Sequence, residues 1–285
     1  MSTTVVAQAN IDALPPLEMA RACEQAGVTK AGRDQLTLLL LGLLAGAFIA
    51  LGSIAMLVVM TGAHALPWGL ARALGGLAFS LGLILVIVGG AELFTGDCLM
   101  VVAWASRRIR WTALLRAWGL VYIGNLGGAL ATAVLVYLAG HYRLDNGLVG
   151  KTVLDMATAK AGIPSVPLFF LSVLCNVLVC LAVWMALSAR STIDKVIVVV
   201  PAVTTFVAAG FEHSIANAFI LPYALLIKLC ADVSFWTSIA QGPESFAALT
   251  GLNVLHNLVI ATLGNLIGGS VLVGGVYWFI YLRRR

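Results

Sequence analysis

Long apolar stretches alternate with short polar segments along most of the chain. The first of them, LTLLLLGLLAGAFIALGSIAMLVVM, contains no charged residue over 25 positions. A helix needs about 20 apolar residues to cross the hydrocarbon core of a bilayer. We therefore predict six membrane-spanning helices, at residues of about 36–60, 71–106, 111–139, 166–187, 196–227 and 254–282.

Two of these predicted spans are interrupted by polar residues and glycines. The second contains GGAELFTGD, and the fifth contains AAGFEHSIANAF. Backbone groups freed by a helix break are tolerated at membrane depth only where they are buried in protein or line a cavity. We therefore expect both breaks to line a path across the membrane.

The chain also contains an internal repeat. The segment GAE ends at Glu92 in the second span, and GFE ends at Glu212 in the fifth. GNLGG begins at Gly124 in the third span, and GNLIGG begins at Gly264 in the sixth. Because each half holds three spans, the second half must enter the membrane from the opposite side, which makes the repeat inverted. The predicted repeats cover residues of about 36–139 and 164–285.

Composition places the chain outside the soluble globular proteins. It is 61% hydrophobic and 10% charged, with a mean hydropathy of +1.02, so we predict an all-α integral membrane domain. The net charge of +5 does not indicate nucleic-acid binding, because the basic residues lie between the apolar stretches. With the N-terminus inside, 12 of the 17 Lys and Arg residues fall on the cytoplasmic side, which predicts that both termini are cytoplasmic.

Few ionisable side chains fall within or beside the predicted spans. The acidic ones are Glu92, Asp97 and Glu212, and the histidines are His213 and His256. Such residues are costly in a membrane and are functional candidates by default. We expect the two glutamates to brace the breaks by accepting hydrogen bonds from free backbone N–H groups. His256, near the start of the sixth span, is interpreted as interfacial.

His213 has no counterpart in the first repeat, where Leu93 occupies the matching position. A purely structural role should appear in both halves, so the asymmetry favours a functional role for His213. An imidazole titrates near pH 6.5 and can donate or accept a proton. It could protonate a weak-acid anion, which would then cross as the neutral acid. The alternative is a core histidine whose hydrogen bonds a neighbour satisfies.

Three more polar residues are candidates for contact with a solute or with the breaks. Thr95, at the first break, could bond a small solute. Asn176, in the middle of the fourth span, must pair with something, and a break is the partner we expect. Lys160, just before the fourth span, could attract anions into a vestibule or could be a solvated loop lysine.

Four motifs together resemble the formate/nitrite transporter family: GGAELFTGD, CNVLVCLAVWMA, GFEHSIAN and GNLIGGSVLVGGVYW. The resemblance extends from LPPLEMA to WFIYLR, nearly the whole chain. The segments LPPLEMARACEQAGVTKA and FWTSIAQGPESF are most similar to the formate channels, whereas ELFTG is also similar to nitrite channels. Gly96-Asp97 departs from the family pattern, and we expect it to change the mobility or selectivity of the first break.

The resemblance implies an aquaporin-like six-helix protomer, with the second and fifth helices broken, that assembles as a homopentamer in the bacterial inner membrane. It implies bidirectional, pH-dependent passage of formate through each protomer, with Thr95 and His213 facing each other at the pore centre. It implies that residues 1–35 form a cytoplasmic gating segment and that pyruvate formate-lyase is a partner. Implied apolar constrictions are Phe79, Leu83, Leu93, Phe94, Val179 and Phe206. The implied polar network is Glu92, Lys160, Asn176, Glu212, Asn217 and Asn265.

Three alternatives differ in substrate or class. The same fold could pass nitrite or hydrosulfide. A water channel of the aquaporin type would carry paired Asn-Pro-Ala motifs, which the sequence lacks. A membrane redox enzyme with haem would need axial ligands, whereas only two histidines lie in the spans and the five cysteines have no metal-site spacing. We therefore predict a channel that is not an enzyme and requires no cofactor.

Overall fold

The computed structural model describes residues 13–284, apart from the side chain of His64. Every regular element within these residues is helical. The α-helices are α1 (Pro16–Ala31), α2 (Gln35–Met60), α3 (Trp68–Gly89), α4 (Phe94–Asp97), α5 (Val101–Ala105), α6 (Trp111–Leu138), α7 (Leu148–Ala161), α8 (Ser165–Ser188), α9 (Thr192–Ala208), α10 (Ser214–Cys230), α11 (Val233–Ser238), α12 (Gly251–Ile267) and α13 (Val276–Tyr281). Shorter 3₁₀ turns lie at Ala63–Ala65, Cys98–Met100, His141–Arg143 and Pro243–Phe246, and a π-helical segment lies at Gly268–Gly275.

Five helical stretches of the described chain are long and apolar enough to cross a membrane. The predicted fifth span is not among them, because it consists of α9 and α10, each 17 residues long, on either side of residues 209–213. The predicted second span is likewise divided, into α3 and the shorter helical stretch Phe94–Ala105. The long stretches are Gln35–Met60, Trp68–Gly89, Trp111–Leu138, Ser165–Ser188 and Pro243–Tyr281.

Glycine turns end both helices that precede the breaks. Gly90 after α3 and Gly210 near the end of α9 have φ values of 79° and 75°, a left-handed conformation that glycine adopts without a Cβ clash. Ala91 N donates to Val86 O at 3.0 Å, which satisfies one of the last carbonyl groups of α3. The sequence therefore specifies where each helix stops.

The two halves of the chain pack in the same way. In the first half α2 packs against α3 and α6, and in the second half α8 packs against α9 and α12. Close backbone contact requires glycine at matching positions, because a Cβ on Gly128 would collide with Leu43 O and one on Gly268 would collide with Val173 O. The α3 and α9 helices then pack against each other and join the halves.

Each half begins with a helix that the sequence did not predict as part of the repeat. The first is α1, which packs against α5, α8 and α13, and the second is α7, which packs against α10 and α2. Met19 and Cys23 of α1 are buried in one cluster with Leu99, a few residues after the first break. The described part of the N-terminal segment is thus in contact with the break, whereas residues 1–12 lie outside the described residues.

Candidate functional site

The two interruptions of the chain meet at one buried contact. Thr95 lies in the first turn of α4, rather than in the preceding loop, and His213 is the residue immediately before α10. Thr95 Oγ1 and His213 Nε2 are 3.1 Å apart, and both side chains are buried. The fold therefore joins two residues that are 118 positions apart in the sequence.

A second hydrogen bond decides which nitrogen of His213 carries the proton. Ala216 N donates to His213 Nδ1 at 3.1 Å, so Nδ1 is an acceptor and the neutral ring holds its proton on Nε2. Nε2 then donates to Thr95 Oγ1. The hydroxyl hydrogen of Thr95 is left to bond another acceptor, such as a small anion at this point.

Asn125 of α6 holds the backbone of the first interruption. Its Oδ1 accepts a hydrogen bond from Phe94 N at 2.9 Å. Its Nδ2 donates to Gly42 O at 2.7 Å and to Glu92 O at 2.9 Å. The amide, which is itself fully buried, therefore satisfies three backbone groups of the protein interior.

Asn265 of α12 holds the second interruption with the same geometry. Its Oδ1 accepts from Ser214 N at 2.9 Å, and its Nδ2 donates to Ser172 O at 2.7 Å and to Glu212 O at 3.0 Å. These three bonds match those of Asn125 one for one. The repeat seen in the sequence is therefore a repeat of hydrogen bonding as well as of helix order.

The carbonyl group of Thr95 is fixed by a third helix. Asn176 Nδ2 of α8 donates to Thr95 O at 3.1 Å and to Asn265 O at 2.6 Å. Cys180 Sγ, one turn later, also donates to Thr95 O, at 3.3 Å. Asn176 thus links the two interruptions, and the position of the Thr95 backbone does not depend on its hydroxyl group.

Glu92 binds cations rather than the backbone amides that we expected. Its carboxylate forms ion pairs with Lys30 Nζ, at 2.6 Å, and with Arg33. Lys30 Nζ also lies 2.5 Å from Asp97 Oδ1. The expectation was wrong because Asn125 already satisfies the nearby backbone, which leaves the buried carboxylate to pair with opposite charges.

Glu212 departs from the expectation in the same way. Its Oε1 lies 2.7 Å from Lys160 Nζ, and its Oε2 accepts from Asn217 Nδ2 at 2.7 Å. Asn217 Nδ2 also donates to Asn257 Oδ1 at 2.8 Å, and Asn257 Nδ2 donates to Lys160 O at 3.0 Å. The side chains of the four residues and the carbonyl group of Lys160 form a closed network in which α7, α10 and α12 hold the second interruption.

Lys30 and Lys160 occupy equivalent positions in the two halves. Lys30 pairs with the glutamate of the first interruption, and Lys160 pairs with that of the second. Burial by itself lowers the pKa of Lys30, but the carboxylates of Asp97 and Glu92 outweigh burial and raise that pKa above its ordinary value. A lysine with a raised pKa stays charged at all lower pH values, so Lys30 remains a cation throughout the physiological range.

Apolar side chains surround the Thr95–His213 contact on one side. The Phe206 ring stacks on His213 with centroids 6.0 Å apart, and Phe79 meets Phe206 edge-on at 5.7 Å. Phe94 is separate, because its side chain packs against Tyr122 of α6 at 5.0 Å. Successive side chains on a helix point about 100° apart, so Phe94 and Thr95 cannot face the same way. The other apolar candidates in the cluster of Phe79 and Phe206 are Leu83, Leu93 and Val179.

A cavity of about 460 Å³ leads to this contact. Its lining includes His213, Phe206, Phe79 and Met156, and it extends to Asp155, whose side chain is half exposed. Charged and polar lining groups come from Arg72, Lys160, Glu212, Asn217 and Thr152. Within residues 13–284, no three His, Cys, Asp or Glu side chains cluster in a way that could hold a metal ion.

Sequence reasoning missed several residues of this site. Lys30 was counted only among the cytoplasmic charges, and Asn125 was used only as part of the internal repeat. One signal could have found Lys30, because Lys30 is followed by Ala-Gly as Lys160 is. A comparison of the two halves likewise pairs Asn265 with Asn125 in GNLIGG and GNLGG. No local signal marks Cys180 or Asn257, whose partners lie far away in the sequence.

Comparisons of the sequence identify a family and several relatives. The family model described as formate/nitrite transporter matches residues 17–279. The chain is 46% identical over 273 residues to "Formate channel FocA" of Escherichia coli (strain K12), covering 95% of this chain and 96% of that protein. It is 36% identical to "Formate channel FocA" of Haemophilus influenzae, covering 92% of this chain and 93% of that protein.

Comparisons of the structure agree with those of the sequence. A solved structure described as "Pentameric formate channel with formate bound" superposes with a TM-score of 0.83 at 44% identity, covering 87% of this chain and 98% of that one. A second, described as "FNT family ion channel", superposes with a TM-score of 0.77 at 29% identity, covering 92% of this chain and 98% of that one.

Proposed function

The chain belongs to the formate/nitrite transporter family, and from this premise we propose that it is a channel through which formate crosses the membrane between Thr95 and His213. The observation that carries the proposal is the buried 3.1 Å contact between these side chains at the meeting point of two helix interruptions. The chemistry fits formate, because a threonine hydroxyl can donate to a small carboxylate and the imidazole beside it can supply a proton.

The proposed protomer is an aquaporin-like bundle of six spans in which the second and fifth are broken. The second span is α3 with the stretch Phe94–Ala105, and the fifth is α9 with α10. The matching contacts of the two halves support an inverted repeat, and the pentameric relative supports a homopentamer with one path in each protomer. We also propose that the protein lies in the cytoplasmic membrane of a bacterium with both termini in the cytoplasm, and that pyruvate formate-lyase is a partner.

The proposed path has an outer and an inner half. From outside, the anion enters the 460 Å³ cavity and passes the apolar rings of Phe79 and Phe206 before it reaches His213. The apolar walls exclude water, which makes crossing costly for an ion and much less costly for a neutral acid. For this step His213 must first take up a proton from water in the cavity; transfer of that proton from the imidazolium to formate would remove the charge of the anion and return the neutral ring, and the reverse transfer would serve efflux. Leu83, Leu93 and Val179 extend the apolar wall, and Phe94 is assigned to the inner half.

Competition between anions tests the substrate assignment. Purified protein in proteoliposomes should take up labelled formate in a saturable way, and nitrite or hydrosulfide in equal concentration should reduce the rate only weakly. If either competitor suppresses formate uptake more strongly than unlabelled formate does, that anion is the better substrate and the assignment to formate fails. Liposomes without protein give the background leak.

Removal of the Thr95 hydroxyl should weaken flux without loss of assembly. In Thr95→Ala the carbonyl group remains held by Asn176 and Cys180, so the backbone stays in place. One hydrogen bond to the solute is lost, which corresponds to about a two- to tenfold lower formate flux. Thr132→Ala is the matched control, because the Thr132 hydroxyl bonds only within its own helix, to Gly128 O. Equal flux in both variants would make Thr95 structural.

The N-terminal segment is proposed to gate the inner end of the path. The described part of this segment, α1 and the short turn after it, reaches the first interruption through the ion pairs of Lys30 with Glu92 and Asp97 and of Arg33 with Glu92. Any movement of α1 away from the interruption must break these buried pairs, and removal of one partner of such a pair is costly. Because Lys30 stays charged, a response of α1 to acid has to come from the carboxylates.

Removal of the Asp97 charge should loosen α1. In Asp97→Asn, Lys30 loses one of its two carboxylates, and we expect the amides of Pro16–Ala31 to exchange hydrogen about tenfold faster. Hydrogen exchange with mass spectrometry on the purified protein measures this. Asp155→Asn is the matched control, since Asp155 pairs with Lys151 on the exposed side of α7. An α1 exchange rate equal to that of the wild type would show that Asp97 does not hold the helix.

A further inference from the structure

The positively and negatively charged groups that line the outer cavity are equal in number, but they are not all paired with one another. The lining carries two cations, Arg72 and Lys160, and two carboxylates, Asp155 and Glu212. Glu212 pairs with Lys160 at 2.7 Å, and Asp155 pairs at 2.6 Å with Lys151, which lies beyond the lining. In the part of the chain that the structure describes, Arg72 has no carboxylate within ion-pair distance, so no direct ion pair neutralises its charge.

Arg72 is held rigidly, although it is not ion-paired. Its Nη2 donates to Val207 O at 2.6 Å and its Nε donates to Ala208 O at 3.3 Å, at the C-terminal end of α9. The guanidinium also lies 5.8 Å from the centre of the Trp68 ring. Gly210 leaves room for it, because a Cβ there would come within 3.2 Å of Arg72 Nη2. The charge of Arg72 is thus fixed beside Gly210, which lies in the second interruption two residues before Glu212.

The guanidinium keeps donors available for a ligand. Arginine has five N–H donors in a planar fork, and the two carbonyl groups occupy two of them. The remaining donors can bind a carboxylate, which accepts two parallel hydrogen bonds from such a fork. Lys160 is less available, because its ammonium already binds Glu212 at 2.7 Å.

The inner half of the site has no equivalent of Arg72. Counting back from the paired glutamates, the position that matches Arg72 is Thr192, which is uncharged. The cations Lys30 and Arg33 are balanced there by Glu92 and Asp97. At this position the two halves therefore differ in charge, although the hydrogen bonding of their interruptions is alike.

We propose that Arg72 is the residue that captures small carboxylate anions at the outer mouth and so sets the apparent affinity for uptake. The inference rests on the proposed formate path. A fixed positive charge in a narrow, low-dielectric opening raises the local concentration of anions. The KM for uptake through the outer mouth is then lower than the KM for efflux through the inner mouth.

Substitution of Arg72 separates its charge from its hydrogen bonds. Arg72→Gln keeps an N–H donor for the α9 carbonyl groups and loses the charge, whereas Arg72→Lys keeps the charge. Formate uptake is measured in proteoliposomes in which the outer mouth of the protein faces the external solution. The KM for uptake should be about three- to tenfold higher for Arg72→Gln, with a similar maximum rate. The KM of Arg72→Lys should be close to that of the wild type. The KM for efflux should not change.

Salt provides a second readout that a purely structural role would not move. Between ionic strengths of about 0.01 and 0.15 M the Debye length falls from about 30 to about 8 Å. The uptake KM of the wild type should rise over this range, and that of Arg72→Gln should stay constant. Arg143→Gln is the matched control and should behave like the wild type, because Arg143 is a half-exposed cation that already pairs with Asp232 at 2.8 Å.

Three outcomes would overturn the assignment. The first is an unchanged uptake KM and salt response in Arg72→Gln. The second is an equal loss of maximum rate and pentamer stability in Arg72→Gln and Arg72→Lys, which would make the residue only a cap for α9. The third is an equal rise in KM for Arg143→Gln. A wild type that carries no formate at all would instead reject the proposed function, so the two failures are distinguishable.

Discussion

The His213→Phe variant is expected to assemble like the wild type, yet to lose the pH response of its formate flux between pH 5 and 8. The phenyl ring can keep the stacking with Phe206 and fill the same space. It cannot hold or release a proton, so the anion has to cross the apolar path with its charge. Groups that transfer protons typically contribute 10²–10⁴-fold to a rate, and we expect the acid-stimulated part of the flux to fall at least about tenfold.

Two further variants make this test specific. His213→Asn retains a side chain that can accept from Ala216 N, as His213 Nδ1 does, and so preserves the cap of α10 while removing titration. It should lose the pH response as the phenylalanine variant does. His256→Asn should keep the wild-type profile, because His256 Nε2 bonds Ser165 Oγ at 2.8 Å, outside the proposed path. A wild-type profile in both His213 variants would remove the proton role from that residue.

The Asn265→Leu variant should be among the least stable single variants of the chain. Leucine has a similar volume, but it leaves Ser214 N, Ser172 O and Glu212 O without their partner. An unsatisfied buried polar group costs about 1–3 kcal/mol, so the loss should amount to several kcal/mol. The thermal stability of the purified oligomer, followed by size-exclusion chromatography after heating, measures the effect.

The repeat supplies a matched pair for this prediction. Asn125→Leu removes the same three kinds of bond from the first interruption and should destabilise the protein to a similar degree. Asn253→Leu is the control, because the side chain of Asn253 makes one recorded hydrogen bond, to Ala248 O near the exposed start of α12. If Asn265→Leu were no less stable than Asn253→Leu, the asparagines would not be what holds the interruptions.

The sequence predicted those features of the site that are local to a helix or repeated in both halves. Apolar stretches of 20 or more residues located the long helices, and the segments around Glu92 and Glu212 located both interruptions. A mid-span amide such as Asn176 needs a hydrogen-bond partner, so its contact with a break could be predicted. The atom that it binds, Thr95 O, could not. Periodicity and propensity carry this kind of information because they depend on neighbouring residues.

The pairing of charges could not be predicted in the same way. Lys30 and Glu92 are 62 positions apart, and the Ala-Gly that follows Lys30 marks its match with Lys160 but does not indicate its partner. Arg72, at the start of the predicted second span, lies in α3 and binds the end of α9, a partner that nothing near it in the sequence indicates. Asp97 was predicted as an ionisable residue near a span and as a departure from the family pattern, but not its partner, because the contact with Lys30 is set by the docking of α1. Such contacts depend on how helices pack, which local patterns do not encode.

The most direct test of the central claim is formate flux through purified protein in proteoliposomes at a single acidic pH. The preparations are the wild type, His213→Phe and liposomes without protein. The account predicts rapid, saturable formate entry with the wild type and a rate at least about tenfold lower with His213→Phe at equal oligomer content. Formate entry with the wild type that is no faster than with empty liposomes, or that is unchanged by His213→Phe, would contradict it.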